Sequence, residues 1–285
     1  MSTLRVHPTV RLRALEQRAK KRFGQNFLAD PGACDRIVRA AGVQPGDRVL
    51  EIGPGLGALT DALLDAGAQV TCVELDRDMA AALRESHPAV TLVEADALKV
   101  DLAAICPGTG WKVAANLPYN VATPILMRLL QEGELHGRFD RMALMFQREV
   151  AARICAEVDD DAWGALSVQV QVRAQVERAL ELPPGAFHPP PKVHSTVVRF
   201  TRNPDPDYGG VPARSFDRTV RAGFSLRRKK LVNALATAMT KDQANAACAA
   251  AEIDPGVRAE VLDLPQWRRL ARSVHQVLAA TDPTC

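Results

Sequence analysis

Between residues 30 and about 200, short apolar runs of strand length alternate with stretches whose apolar positions recur at helical spacing. The segment from Pro31 to Ala41 predicts a helix with Ile37 and Val38 on its apolar side. Arg48 to Ile52 predicts a strand followed by a glycine-rich turn, and Leu59 to Ala66 a helix ended by Gly67. Further strands are expected at Gln69 to Leu75, Val90 to Glu94, 111–115 and Arg141 to Phe146. Helices are expected at Arg77 to Ser86, from Thr123-Pro124 (N-cap and first helical position) to about Leu130, and from Glu149 to Glu157. Val193 to Phe200 alternates and predicts a late strand. Strand, helix, strand at this spacing implies a parallel sheet with right-handed crossovers.

The pattern changes at Thr201 to Pro212, where Asn203-Pro204-Asp205-Pro206 and Gly209-Gly210 predict a linker. Beyond it strand signals vanish, and 213–240, 242–251 and 265–280 read as amphipathic helices. The expected organisation is an N-terminal segment over 1–29, an α/β domain over 30–204 and a small all-α domain over 205–285.

Polar groups sit where the strands end. Glu51-Ile52-Gly53-Pro54-Gly55-Leu56-Gly57 follows the first strand of the alternating region and opens a helix. Its glycines let the backbone approach a ligand closely. Glu74 closes the next strand, where a carboxylate can bind a ribose diol, and Asp96 follows the third, placed to accept from an adenine amino group. The run 111–115 leads into Asn116-Leu117-Pro118-Tyr119. That tetrapeptide suits a grip on a planar amine. The Asn116 amide oxygen can accept one N–H. The Leu117 carbonyl can accept the second, because a residue before proline is held extended. Tyr119 offers a ring for stacking. Open α/β sheets bind ligands at this carboxyl edge.

Charge adds a second theme. The net charge is only +3, but residues 5–23 hold seven Lys/Arg, among them Lys20, Lys21 and Arg22, against one acid. Residues 213–232 hold another seven (Arg214, Arg218, Arg221, Arg227, Arg228, Lys229 and Lys230) against Asp217. Two such blocks on a near-neutral chain form a local footprint for a polyanion. The six cysteines are scattered, with no pair at Cys-x-x-Cys spacing, so neither a metal site nor a disulfide framework is expected, and a reducing cytoplasm is. The basic N-terminus lacks an apolar core, and no run of 18 apolar residues exists, so neither a secretory signal nor a membrane span is expected.

The ordered set of motifs resembles the ribosomal RNA adenine dimethyltransferases, in particular the bacterial type that acts on the small subunit. Its marks run from Gly24-Gln25-Asn26-Phe27-Leu28 through the Glu51 to Gly57 loop, Glu74, Asp96 and Asn116-Leu117-Pro118-Tyr119-Asn120. Phe187-His188-Pro189-Pro190-Pro191-Lys192-Val193-His194-Ser195 and Phe224-Ser225-Leu226-Arg227-Arg228-Lys229-Lys230 complete them. Phe23 stands where leucine is usual, and Ala122 where serine is usual; neither removes a needed donor or acceptor.

The resemblance implies a Rossmann-like domain that binds S-adenosylmethionine (SAM), and an enzyme that dimethylates two adjacent adenines near the 3′ end of 16S rRNA in an immature small subunit. It implies that Asn26, Leu28, Gly53, Gly55, Glu74, Asp96 and Asn116 hold the cofactor, and that the target adenine stacks between Tyr119 and Phe187. Catalysis would fall to Asn116, Leu117, Pro118 and Tyr119, without a general base or a metal. Lys20, Lys21, Arg22, Arg221, Arg227, Arg228, Lys229 and Lys230 would bind rRNA phosphates. A cytoplasmic monomer is expected, since no exposed apolar repeat asks for a partner. The competing readings are the sibling class that modifies large-subunit rRNA, a non-catalytic RNA-binding assembly factor, and a nicotinamide oxidoreductase. The last leaves Asn116 to Tyr119 and the basic blocks unexplained.

Overall fold

After the two-residue strand β1 (Phe27–Leu28), the strand β2 (Arg48–Ile52) is buried at every position past Arg48, as a strand covered on both faces must be. The computed structural model, which describes residues 26–226 and 228–281, sets β2 in a seven-stranded sheet. In chain order the others are β3 (Gln69–Glu74), β4 (Thr91–Glu94), β5 (Trp111–Asn116), β6 (Phe139–Gln147), β7 (Ala174–Leu182) and β9 (Ser195–Arg202). Their spatial order is β4-β3-β2-β5-β6-β9-β7. The pairs β2–β3, β2–β5, β3–β4 and β5–β6 are parallel, and β9 is antiparallel to β6. The parallel sheet that the alternation implied is extended by antiparallel β9, so the sheet as a whole is mixed. A separate ribbon joins β1 to β8 (Phe187–His188), with Leu28 opposite Phe187.

Helices α1 (Pro31–Ala40), α2 (Ala58–Asp65), α3 (Arg77–Ser86), α4 (Leu102–Ile105), α5 (Ala122–His136) and α6 (Arg148–Ile154) connect the strands. Several start on carboxylate caps. Asp30 accepts from the Gly32 N–H at 2.8 Å, Asp76 from Asp78 at 3.0 Å and Asp101 from Ala103 at 2.9 Å. The core of this unit joins Ile37, Val49, Leu63, Val70, Ala114 and Met145.

Two compact units result. Among the described residues, one comprises those up to Ala151 together with Gln175–Pro204, and the other Ala152–Ala174 together with those from Asp205 onward. Residues 152–174 thus group with the helical unit and not with the rest of the stretch 30–204. The helical unit contains α7 (Ala165–Gln171), α8 (Ala213–Gly223), α9 (Leu231–Leu235), α10 (Lys241–Ala250) and α11 (Leu264–Thr281). Trp163, Phe216, Val220, Leu231 and Trp267 anchor its core.

Other differences from the sequence expectations have local causes. The single helix over 213–240 is two, because α8 ends at Gly223. There a Cβ would come within 2.5 Å of the Trp267 ring. Helix α5 starts at Ala122 without a side-chain cap, so Thr123 is not its N-cap. Helix α6 stops at Ile154, short of Glu157. Strand β7 was not expected: Ala-Gln-Val-Glu-Arg-Ala-Leu-Glu-Leu is rich in helix formers, and its place at the edge of the sheet overrides that propensity. Lys20, Lys21, Arg22 and Arg227 lie outside the described residues.

In the helical unit Arg173 donates to both carboxylate oxygens of Asp217, at 3.1 and 2.8 Å, with its own side chain 1% exposed. Removing one partner strands a buried charge. Asp217→Ala is expected to cost about 3–5 kcal/mol in urea unfolding, and Arg173→Met/Asp217→Leu together far less.

Candidate active site

The strand order places the site. Chain runs from β2 to β3 and β4 on one side, then crosses to β5 on the other side of β2. Loops leaving β2 and β5 diverge, and a crevice opens beyond their carboxyl ends. A cavity of about 180 Å³ lies there, lined by Asn26, Phe27, Gly53, Gly55, Glu74, Asp96 and the segment from Asn116 to Val121. The structure thus brings Asn26, Gly53, Gly55, Glu74, Asp96, Asn116 and Tyr119, all nominated from the sequence, beside it. Leu117 and Pro118 line it as well.

The loop after β2 holds its shape through left-handed backbone. Gly53 and Gly55 have φ of 68° and 55°. A Cβ on Gly55 would sit 2.9 Å from two ring carbons of Phe27, so that ring closes the loop from the side. Phe27 also packs with Leu56 and Met79. Sequence reasoning missed this role, because Phe27 is 28 positions from Gly55 and nothing in either motif points to the other.

Glu74 is buried and its carboxylate is held from both sides. Oε2 accepts from the Gly55 N–H at 3.1 Å and Oε1 from the Asp76 N–H at 2.9 Å. Burial pushes its pKa up, and these N–H bonds oppose the rise. Each oxygen keeps acceptor capacity for a second donor, as a ribose diol requires. Asp96 accepts from the Leu98 N–H at 2.8 Å through Oδ1, and its Oδ2 lies 3.9 Å from Lys99 Nζ. Arg128 donates to the carbonyls of Ala97 and Val100, fixing the turn that carries Asp96. Leu75 is 53% exposed beside Glu74 and, with Leu98, gives the wall an apolar face. Backbone bent to admit a ligand, two diol acceptors, a further carboxylate and an apolar face fit the adenosine end of SAM.

At the end of β5, the Asn116 Nδ2 donates to the Asn26 carbonyl at 2.8 Å. A carbonyl can only accept, so this bond fixes which end of the amide is nitrogen. It leaves the Oδ1 acceptor without a partner among the described residues. The Leu117 carbonyl accepts none of the loop and turn backbone bonds among the described residues. Tyr119 is half-buried, its hydroxyl 2.6 Å from Ser195 Oγ, and burial raises its pKa. Ser195 is fully buried on β9 and was quoted in the sequence only as the end of the proline-rich motif.

Two nominated residues stand elsewhere. Leu28 lines a smaller void beside Glu51 that shares Phe27, Gly53 and Asn116 with the main cavity, and does not line the main cavity itself. Phe187 is 3% exposed in the apolar core and is not among the residues lining the cavity. Arg221, Arg228, Lys229 and Lys230 are exposed residues of the helical unit.

Glu51 is 1% exposed behind the glycine loop, with Thr60 Oγ1 donating to it at 2.7 Å. Burial pushes its pKa up to about 8, and the Thr60 bond only partly offsets this.

A family model described as ribosomal RNA adenine dimethylase matches residues 16–276. The ribosomal RNA small subunit methyltransferase A of Syntrophotalea carbinolica is 45% identical over 91% of this chain and 98% of its own. Among solved structures, a dimethyladenosine transferase from Plasmodium falciparum has a TM-score of 0.71 at 25% identity, covering 88% of this chain and 98% of that one. The 23S rRNA methyltransferase ErmE follows at 0.65 and 26%, covering 88% of this chain and all of that one.

Two outcomes follow. Glu51 stays protonated in the fold up to about pH 8 but ionises from its ordinary 4.5 when unfolded, so stability should fall as pH rises between those values. Melting curves should show that slope in the native chain and not in Glu51→Gln. Gly55→Ala should weaken SAM binding at least tenfold by calorimetry. Gly46→Ala, at φ 86° with nothing within 4 Å, should cost only about 1–2 kcal/mol of stability and leave SAM binding intact.

Proposed function

The chain belongs to the ribosomal RNA adenine dimethylase family, and from that premise we propose that it dimethylates two adjacent adenines in a loop near the 3′ end of 16S rRNA, within an immature small subunit. Its cofactor is SAM, whose sulfonium supplies an activated methyl group. The observation that carries the reading is the Asn116 amide, tied through Nδ2 to the Asn26 carbonyl so that Oδ1 is left as an acceptor at the cavity.

The exocyclic nitrogen of adenine is a poor nucleophile, because its lone pair is delocalised into the ring. Asn116 Oδ1 and the Leu117 carbonyl would accept its two N–H groups. That favours a pyramidal nitrogen with its lone pair directed at the methyl. Pro118 fixes the backbone between those acceptors and Tyr119, and Tyr119 gives the base a ring to lie on, worth about 1–3 kcal/mol. Positioning of this kind can supply about 7–11 kcal/mol. No carboxylate need act as base, since the methylated nitrogen becomes acidic and loses its proton to water. Glu74 would hold the ribose diol of SAM, Asp96 the adenine amino group, and Asn26, Gly53 and Gly55 the rest of the cofactor. A role for Phe187 as second stacking face would require its ring to leave the core. The exposed cations Arg221, Arg228, Lys229 and Lys230 would meet rRNA phosphates, setting register without reading sequence. The target must be presented from a folded RNA structure, or flipped out. The reading places the protein in the cytoplasm, as a monomer.

The sibling activity on large-subunit rRNA remains the nearest alternative, given the resemblance to ErmE. Small subunits lacking the modification, incubated with labelled SAM beside large subunits, should yield dimethyladenosine in the small-subunit rRNA alone by mass spectrometry. Label only in the large subunit would move the chain to the sibling class. SAM binding without label in either would make it a binding factor. Asn116→Ala should lower turnover at least a hundredfold and rRNA affinity less than threefold; near-normal methylation by it would sink the mechanism.

A further inference from the structure

One buried hydroxyl beside the site has no part in the catalytic reading. Ser195 opens β9 and is 0% exposed, directly after the exposed run Lys192-Val193-His194. Its Oγ lies 2.6 Å from the Tyr119 hydroxyl, and among the described residues it has no other hydrogen-bonding partner. Ser195 does not itself line the cavity, whereas Tyr119 does. Strand β9 runs antiparallel to β6, so its first residue lies at the carboxyl edge of the parallel strands, where the cavity opens. Ser195 pairs there with Gln147, the last residue of β6, two positions beyond Met145, which pairs with Asn116. The His194 carbonyl accepts from the Arg148 N–H at 2.9 Å and closes this corner. Ser195 is thus set by main-chain pairing, while Tyr119 stands on the loop after β5 with its hydroxyl tied to that fixed point. A ring anchored at Cβ and again at its oxygen can neither swing nor tilt freely.

We propose that Ser195 is a positioning residue: it fixes the plane of the Tyr119 ring, and the second methyl transfer depends on that plane more than the first. This role rests on the reading of the chain as an rRNA adenine dimethyltransferase. In each transfer the adenine nitrogen forms a bond to the methyl carbon, the carbon–sulfur bond breaks with its electron pair on sulfur, and one proton leaves the nitrogen for water. Before the first transfer that nitrogen carries two N–H groups, one for Asn116 Oδ1 and one for the Leu117 carbonyl. Before the second it carries one, because a methyl has replaced the other. Half of the polar grip is then gone, and contact with the Tyr119 ring holds a larger share of the base's orientation. A ring free to tilt carries the base with it and turns the nitrogen lone pair away from the methyl.

The test uses the full-length chain, SAM and small subunits lacking the modification. The readout is the ratio of N6-methyladenosine to N6,N6-dimethyladenosine in the rRNA, taken by mass spectrometry at equal total methyl incorporated. Ser195→Ala should raise that ratio about fivefold or more, the low end of what a stacking contact is worth. Tyr119→Phe, which removes the same bond from its other end and keeps the ring, should raise it similarly. The two together should add less than about twofold to either, as expected of groups that act through one contact. SAM affinity of Ser195→Ala by calorimetry should stay native; a loss there would assign the effect to the cofactor and overturn the proposal. A native ratio in both single variants, even with both transfers slowed, would overturn it, since that is what a merely structural bond gives. A further rise of equal size in the double variant would do the same. A readout without SAM or RNA comes from ring-labelled tyrosine by NMR, because the chain has two tyrosines and Tyr208 lies in the helical unit. Ser195→Ala should move the Tyr119 ring signals and leave those of Tyr208; unmoved Tyr119 signals would overturn the role. Failure of the functional reading would show differently: the native chain would then leave neither methylated adenosine in small-subunit rRNA.

Discussion

Two neighbouring parallel strands, β2 and β5, send their chains away from each other at the carboxyl edge, and the site depends on that divergence. It brings Gly53, Glu74, Asp96 and Asn116 to one cavity although they lie at the ends of four strands spread over more than sixty residues. The strands need only end in register for their terminal polar groups to converge. The parallel pairs β2–β3 and β2–β5 carry that register.

Burial then decides what each acid does. Glu51 and Glu74 lie in neighbouring paired strands, and burial raises the pKa of both. Glu74 is reached by two main-chain N–H groups, which spread and stabilise negative charge at the cavity wall. Glu51 has one hydroxyl donor and the weak Cys72 thiol at 3.7 Å. The first lines the cavity with a main-chain donor on each carboxylate oxygen. The second supports the glycine loop from behind as a largely neutral hydrogen-bonding group at neutral pH.

Much of this was legible in the sequence for a physical reason. Strand ends announce themselves through an apolar run that stops at a polar residue, so the Glu51 loop, Glu74, Asp96 and Asn116 could be read directly. What could not be read depends on contacts between distant segments. The Phe27 ring against Gly55, the Ser195 hydroxyl on Tyr119 and the Arg128 bonds to the turn after Asp96 have no local signature. Strand β7 has helix-forming composition yet pairs beside β9 at the edge of the sheet. The need for glycine at 223 comes from the ring of Trp267, more than forty residues away. The burial of Phe187 likewise has no local signature, since its motif gives no hint of the core it packs against.

The bond from Asn116 to residue 26 is made to a main-chain carbonyl. Every amino acid supplies one. The orientation of the amide therefore makes no demand on the identity of its partner, only on the path of the backbone. Sequence drift at residue 26 can change what its side chain offers without turning the Asn116 amide. At residue 116 no such latitude exists, because donor and acceptor must sit on the same planar group. Two asparagines that touch are thus constrained unequally, one by its chemistry and the other by its location.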